Sequence, residues 1–270
     1  MISKRSFLTG TGCLIAYGVL LQRVSFSANM PDNKRLMEIL AKAYPDFING
    51  IDGTELILRD GERMAFDDGV RGKEYETLLN SPSIRDMFYA QYPLGSHTTP
   101  PAKNIDPGRV RNELFFDKMY GDCTKGGVKP NLTSITWLPK KWGKPVSVTR
   151  VNGVDRQLGK VSQDLDTLPA RFDKYLSPSG TFNCRMIAGT TRKSNHGSAS
   201  AIDINAKYGS YWRWDKPDSK GLYRWTNKIP MEIVEIFEAH GFIWGGKWYH
   251  YDTLHFEYRP ELILASALYR

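Results

Sequence analysis

The segment Ser194-Asn195-His196-Gly197-Ser198-Ala199-Ser200-Ala201-Ile202-Asp203-Ile204-Asn205 changes character halfway along. Gly197 to Ala201 are small enough to fold into a tight loop, and Ala201-Ile202-Asp203-Ile204 then alternates apolar and acidic residues. The alternation predicts a strand with Ile202 and Ile204 on one face and Asp203 on the other, entered from a loop that carries His196. A second segment, Trp244-Gly245-Gly246-Lys247-Trp248-Tyr249-His250-Tyr251-Asp252-Thr253-Leu254-His255-Phe256-Glu257-Tyr258, ends in another strand. There His255 and Glu257 point one way and Leu254, Phe256 and Tyr258 the other, with Asp252 in the entering loop. His196, Asp203 and His255 are the donor set of a catalytic zinc site, which uses three protein ligands and keeps a fourth position for water. Asp252 is the spare carboxylate such a site needs as general base. His250 competes with His255 as a ligand, and the rigid strand setting favours His255. His97, in a Pro-rich loop, and His240, at a helix C-terminus where a cation is favoured, read as surface or hydrogen-bonded core residues.

Working outward, Asp32 or Asn33 caps a short helix whose apolar stripe is Leu36, Ile39, Leu40 and Ala43. Glu55 to Arg59 and Glu62 to Phe66 read as a hairpin closed by the two-residue turn Asp60-Gly61. Tyr92 to Arg109, rich in Pro, Gly, Thr and Ser, reads as a linker or long loop. Leu132 to Leu138 and Val146 to Val151 have strand character, and Asn152-Gly153 marks a turn. Leu158, Val161, Leu165 and Leu168 recur at helical spacing until Pro169. A further helix runs from Pro230 to Gly241, with Ile233, Ile236, Phe237 and His240 on one face. Helices and short strands mix without βαβ alternation, so the fold class is α+β: a small antiparallel sheet with packed helices carrying the zinc site, plus an N-terminal α/β extension. The expected organisation is a signal peptide at 1–27, the extension at 28–112 and the site-bearing domain at 113–270.

The chain has 270 residues, 41% hydrophobic and 12% aromatic, which excludes a disordered or low-complexity polymer. Met1 to Arg5 carry two positive charges, Phe7 to Leu21 are uncharged, and Ser25-Phe26-Ser27 offers a small-x-small cleavage site. These are the three regions of a secretory signal, with an apolar run too short for a comfortable span. Ser3-Lys4-Arg5-Ser6-Phe7-Leu8 is also a variant of the twin-arginine export motif. The formal charge of +8 includes Lys4, Arg5 and Arg23, so without them it falls to about +5, which suits a polyanionic wall. Nucleic-acid binding would rest on that charge alone and has no motif behind it. Of the cysteines left after cleavage, Cys123 and Cys184 read as one disulfide in an exported protein, worth roughly 3–4 kcal/mol in the chain-entropy model.

Ser194, His196, Ala201 and Asp203, followed by Asp252, His255, Phe256 and Glu257, form a pattern that resembles the D-alanyl-D-alanine carboxypeptidase family of zinc peptidases. That family includes vancomycin-resistance carboxypeptidases and phage endolysins that cut peptidoglycan stem peptides. Phe182 to Thr190 is similar to the family's Arg-containing strand, and Trp244-Gly245-Gly246 to the segment before its last ligand. The resemblance covers about Thr181 to Glu261, with weaker similarity at Met119 to Cys123. Ala199 stands where the family usually has Gly, and Lys247 where it commonly has an acid.

The resemblance implies that His196, Asp203 and His255 bind Zn2+, that Asp252 is the general base, and that Arg185 stabilises the oxyanion or a substrate carboxylate. It implies substrate contacts for Ser194 and, as cleft walls, Trp244 and Trp248. The expected protein is a periplasmic or cell-wall-associated metallopeptidase acting on peptidoglycan peptides, monomeric, without nucleic acid and without a stable membrane span after signal cleavage. The alternative is a non-catalytic, zinc-stabilised wall-binding domain on the same scaffold.

Overall fold

Asp32 starts the first helix: its carboxylate accepts the backbone N–H of Arg35 at 3.0 Å and caps α1 (Asn33–Ala43). The computed structural model describes residues 30–96 and 101–269; the expected signal segment at 1–27 and His97 lie outside the described residues. Leu36, Met37, Leu40 and Ala43 of α1 are buried. β1 (Ile48–Asp52), β2 (Glu55–Leu58) and β3 (Arg63–Ala65) form an antiparallel sheet in that order. The predicted hairpin is present, but its loop holds three residues, Arg59 to Gly61, instead of two. Ile57 pairs with Arg63, Gly61 N–H donates to the Leu58 carbonyl at 3.0 Å, and only Gly61 has positive φ (87°). Asp60 accepts from Glu62 N–H at 2.9 Å, so it acts as a turn-former without entering the left-handed region.

The chain continues through α2 (Tyr75–Asn80) and an irregular stretch to α3 (Glu113–Tyr120). The antiparallel pair β4 (Leu132–Trp137) and β5 (Lys144–Thr149) follows, then α4 (Val154–Leu165). Asn152 and Gly153 both take positive φ in the expected turn. Next come β6 (Pro178–Gly180), β7 (Ala201–Ile204), α5 (Met231–Ala239), β8 (Phe242–Trp244), β9 (His255–Tyr258) and α6 (Pro260–Ala265). Four of these strands make an antiparallel sheet in the order β6-β7-β9-β8. The fold is α+β.

That last sheet positions the site. β9 lies between β7 and β8, with Asp203 paired to His255, Ala201 to Glu257 and Trp244 to Phe256. On one face Phe256 stacks on Phe237 of α5 at 3.8 Å between ring centroids, and Ile202 and Ile204 join the same apolar cluster. Such a pair adds about 0.5–1.5 kcal/mol beyond area burial. On the other face Asp203, His255 and Glu257 converge. The buried stripe of α5 is Ile233, Val234 and Phe237; Ile236 and His240 lie at its edge, rotated from the expected face. His240 instead donates from Nε2 to Asp164 Oδ2 of α4 at 2.7 Å. The apolar cluster runs from Leu36 in α1 to Leu262 in α6, so the two ends of the described chain share it. Among the described residues no helix is long and apolar enough to cross a membrane.

Cys123 and Cys184 form a disulfide across 61 residues of sequence. It holds the chain that follows β6 against the turn after α3. Replacing both cysteines by Ser is expected to lower stability by about 3 kcal/mol, and the melting temperature by roughly 6–12 °C. Calorimetry of the oxidised parent and the double variant checks this.

Candidate metal centre

The loop ahead of β7 is a single turn of 3-10 helix, Asn195–Ser198. Ala199 ends it at φ 54°, in the left-handed region that glycine adopts without cost, which is a physical reason for glycine at this place in the resembling family. Ala199 N–H donates to the His196 carbonyl at 3.1 Å, and its own carbonyl accepts from Thr149 N–H at 3.0 Å, tying the loop to β5. Gly197 passes close to the disulfide: a Cβ there would stand 3.0 Å from Cys123 Sγ.

The turn delivers His196 to the face where Asp203 and His255 already meet. His196 Nε2 lies 3.2 Å from Asp203 Oδ1 and 3.2 Å from His255 Nδ1, and His255 Nδ1 lies 3.0 Å from Asp203 Oδ1. Three ligands at 2.0–2.1 Å around a tetrahedral zinc ion are separated by about 3.3 Å, so this near-equilateral triangle fits one. The remaining ring nitrogens fix the tautomers. His196 Nδ1 donates to the Thr181 carbonyl at 2.5 Å, and His255 Nε2 donates to Glu257 Oε2 at 3.1 Å. The inner nitrogens, His196 Nε2 and His255 Nδ1, therefore point into the triangle, the arrangement by which outer partners orient metal-binding histidines. The three side chains are a group able to hold a metal ion.

The electrostatics also favour a cation. Burial disfavours a charge on His255, but hydrogen bonds and attraction from Asp203 and Glu257 outweigh it and push its pKa up to about 10. Burial likewise opposes ionisation of Asp203, yet the two imidazoles hold it well below the ordinary carboxylate range. A metal ion must displace the His255 proton to bind. Glu257 is itself fully buried and is held low against desolvation by Arg111 (3.1 Å), His255 and Arg259 (3.1 Å).

Asp252 stands beside the triangle and outside it. Its Oδ1 is buried without a hydrogen-bond partner among the described residues. Burial, aided by Asp203 and opposed by His255 and Arg109, pushes its pKa up to about 6. Two glycines let the preceding segment reach it. A Cβ on Gly245 would lie 2.6 Å from the Asp252 carbonyl oxygen, and one on Gly246 would lie 2.1 Å from the Trp244 indole.

A cleft of about 290 Å³ opens over these groups, lined by Ser194, His196, Asp203, Asp252 and His255 together with Arg109, Arg111, Arg185, Tyr211, Trp214 and Trp248. Arg185 and Ser194 sit opposite one another, Ser194 N–H donating to the Arg185 carbonyl at 2.9 Å. The segment around Arg185 pairs only through an isolated Met186–Lys193 bridge, short of the strand expected there. Trp244 is not in the cleft wall. It is fully buried in the core, its indole N–H donating to the Thr253 carbonyl at 2.9 Å, and Trp248 takes the place expected of it. His250 is held elsewhere, its Nδ1 2.6 Å from Asp106 Oδ2 and its ring stacked on Tyr75. Lys247 is buried, with Nζ on Glu238 and on the carbonyls of Pro93 (2.6 Å) and Gly95 (2.8 Å), away from the cleft. Arg109, Arg111, Tyr211 and Trp214 had no signal in the sequence, because only long-range contacts bring them here.

Three converging donors with oriented imidazoles, beside an open cleft and an unligated carboxylate, are how hydrolytic metal sites are built. Residues 188–258 match the family model described as D-alanyl-D-alanine carboxypeptidase, and all three donors and Asp252 lie in that segment. The resemblance read from the sequence is borne out there. No curated protein and no solved structure gives a match.

Metal analysis after dialysis is expected to find one equivalent in the parent and in His250→Ala, and none retained by His196→Ala or His255→Ala. Glu257→Gln is expected to weaken metal affinity roughly 10–100-fold, measured by chelator competition. It is also expected to lower thermal stability, since Arg111 loses its carboxylate and Arg259 one of its two.

Proposed function

We propose that this chain is an exported zinc metallopeptidase that hydrolyses peptide bonds in peptidoglycan stem peptides, as a D-Ala-D-Ala carboxypeptidase or an L-Ala-D-Glu-type endopeptidase. In this reading His196, Asp203 and His255 are the metal ligands, and residues 28–112 form an extension that helps to complete the cleft of the domain at 113–270. The observation that carries the reading is Asp252: a half-buried carboxylate whose Oδ1 is buried and unpartnered among the described residues, beside a His-Asp-His triangle, in the segment that matches a carboxypeptidase family. A purely structural metal site has no use for such a group.

The residues divide the work as follows. When bound, zinc supplies the Lewis acidity that makes water nucleophilic near neutral pH. Asp252 accepts the proton as water attacks the peptide carbonyl and delivers it to the leaving amine; a carboxyl at about 6 can do both near neutrality. Glu257 and Thr181 keep the two imidazoles aimed. Arg185, exposed on the rim of the cleft, stabilises charge on the substrate, with Ser194 opposite it as a hydrogen-bonding group. Export and a wall location follow from the reading of residues 1–27 and from the substrate class.

The test measures muropeptide hydrolysis by mass spectrometry and bound zinc side by side. Asp252→Asn is expected to lower turnover by about 10²–10⁴-fold with zinc occupancy intact. Asp203→Asn is expected to lose metal and activity together. Products short of one terminal residue identify a carboxypeptidase, and paired internal fragments an endopeptidase. A parent protein that binds zinc and cuts no muropeptide overturns the proposal.

A further inference from the structure

Arg109 comes from the irregular chain before α3, far outside the segment that matches the carboxypeptidase family, yet it lines the same cleft as Asp252 and His255. Its placement is built in several layers. Asp106, fully buried, accepts His250 N–H at 2.8 Å, lies 2.6 Å from His250 Nδ1 and receives the Tyr75 hydroxyl, while its own N–H donates to Tyr89 Oη at 2.7 Å. On either side of it, Tyr249 N–H donates to the Ile105 carbonyl at 3.0 Å and the Trp248 indole N–H to the Pro107 carbonyl at 2.6 Å. The 105–109 strap is thereby stitched to the stretch that runs into Asp252.

What the stitching presents is a guanidinium. Arg109 Cζ lies 5.6 Å from the Trp248 ring centroid and 6.0 Å from that of Trp212, so two indoles hold it in place. One N–H of NH1 donates to the His250 carbonyl at 2.9 Å. No carboxylate forms an ion pair with it among the described residues, in contrast to Arg111 and Arg259, which both hold Glu257. A guanidinium carries five donors in a fork that matches a carboxylate. A cation fixed this firmly and left with donors facing a cleft is costly to keep unless a ligand meets it.

We infer that Arg109 is a specificity-determining residue that receives a carboxylate of the bound peptide, so that the site selects anionic peptides. The inference rests on the peptidase reading for its substrate class. Two carboxylates of a stem peptide have this chemistry, the terminal one and that of its γ-linked D-Glu.

The experiment uses the metal-loaded protein and three peptides: L-Ala-γ-D-Glu-L-Lys-D-Ala-D-Ala, its C-terminal amide, and the form with D-isoglutamine in place of D-Glu. Dissociation constants come from calorimetry with catalysis slowed by Asp252→Asn, and cleavage is followed separately in the parent. One of the two amidations is expected to weaken binding roughly 10–100-fold, the range for a charge-assisted hydrogen bond. Which one does so identifies the carboxylate. Added to that background, Arg109→Gln is expected to bind the acid and that amide equally. Arg109→Lys is expected to restore part of the preference, which a merely structural role would not do. Equal binding of all three peptides by the protein with Arg109 intact, loss of the same factor for every peptide in Arg109→Gln, or no binding at all overturns the inference. Discrimination without cleavage by the parent would instead retain it and overturn the peptidase reading, and cleavage without discrimination the reverse.

Discussion

The buried carboxylate of Glu257 is the interaction on which the rest of the structure turns. An anion with no solvent contact costs several kcal/mol to desolvate, and it survives in a fold only where several partners repay that cost. Here the partners are the His255 imidazole, Arg111 and Arg259. Each partner recruits further structure. Arg259 pairs with Glu261 at 2.5 Å and donates to the Gly108 carbonyl at 2.7 Å, and Glu261 accepts the Tyr44 hydroxyl at 2.5 Å. One ionised group thus connects a histidine of the candidate metal centre, the strap that brings Arg109, the last helix and the end of the first.

This network explains why the segment before residue 113 cannot be regarded as an appendage to the cleft. Tyr44, Gly108, Arg109 and Arg111 all touch groups on β9, in the cleft or just beyond β9. The polar chain runs through the interior next to the apolar cluster that α1 and α6 share. Burying so many charges together gives little net stability by itself. What it fixes is geometry: the ring of His255 has one available orientation, and the donors that face the cleft have few others.

The convergence of His196, Asp203 and His255, with Asp252 beside them, was legible in the sequence because ligand-type residues leave a local trace. Asp203 and His255 occupy strand positions set by period-two alternation, while His196 and Asp252 lie in the turn and loop that enter those strands. The capped first helix and the α+β class were legible for the same reason. Other features depended on contacts that sequence does not display. The Asp60-Gly61 turn gained a residue because Asp60 accepts the N–H of Glu62, two residues on, instead of taking positive φ. Trp244 went to the core because its ring packs against Phe256 in the register of β8 with β9, leaving Trp248 to face the cleft. Arg109 ends the stretch that reads as loop and Arg111 follows it, and their partners are about 140 residues away.

The order of strands in the site-bearing sheet has a consequence for how the molecule comes into being. β9 is the last of the four to be synthesised, yet it occupies an inner position, between β7 and β8. A nascent chain that has made β7 and β8 therefore holds two strands with unpaired backbone edges and a gap between them, the kind of surface on which chains associate wrongly. His196 and Asp203 exist by then without the third donor. Closing the gap seats His255 and Glu257 in a single event, so capacity for a cation and completion of the sheet are acquired together, and a chain with the gap still open has neither.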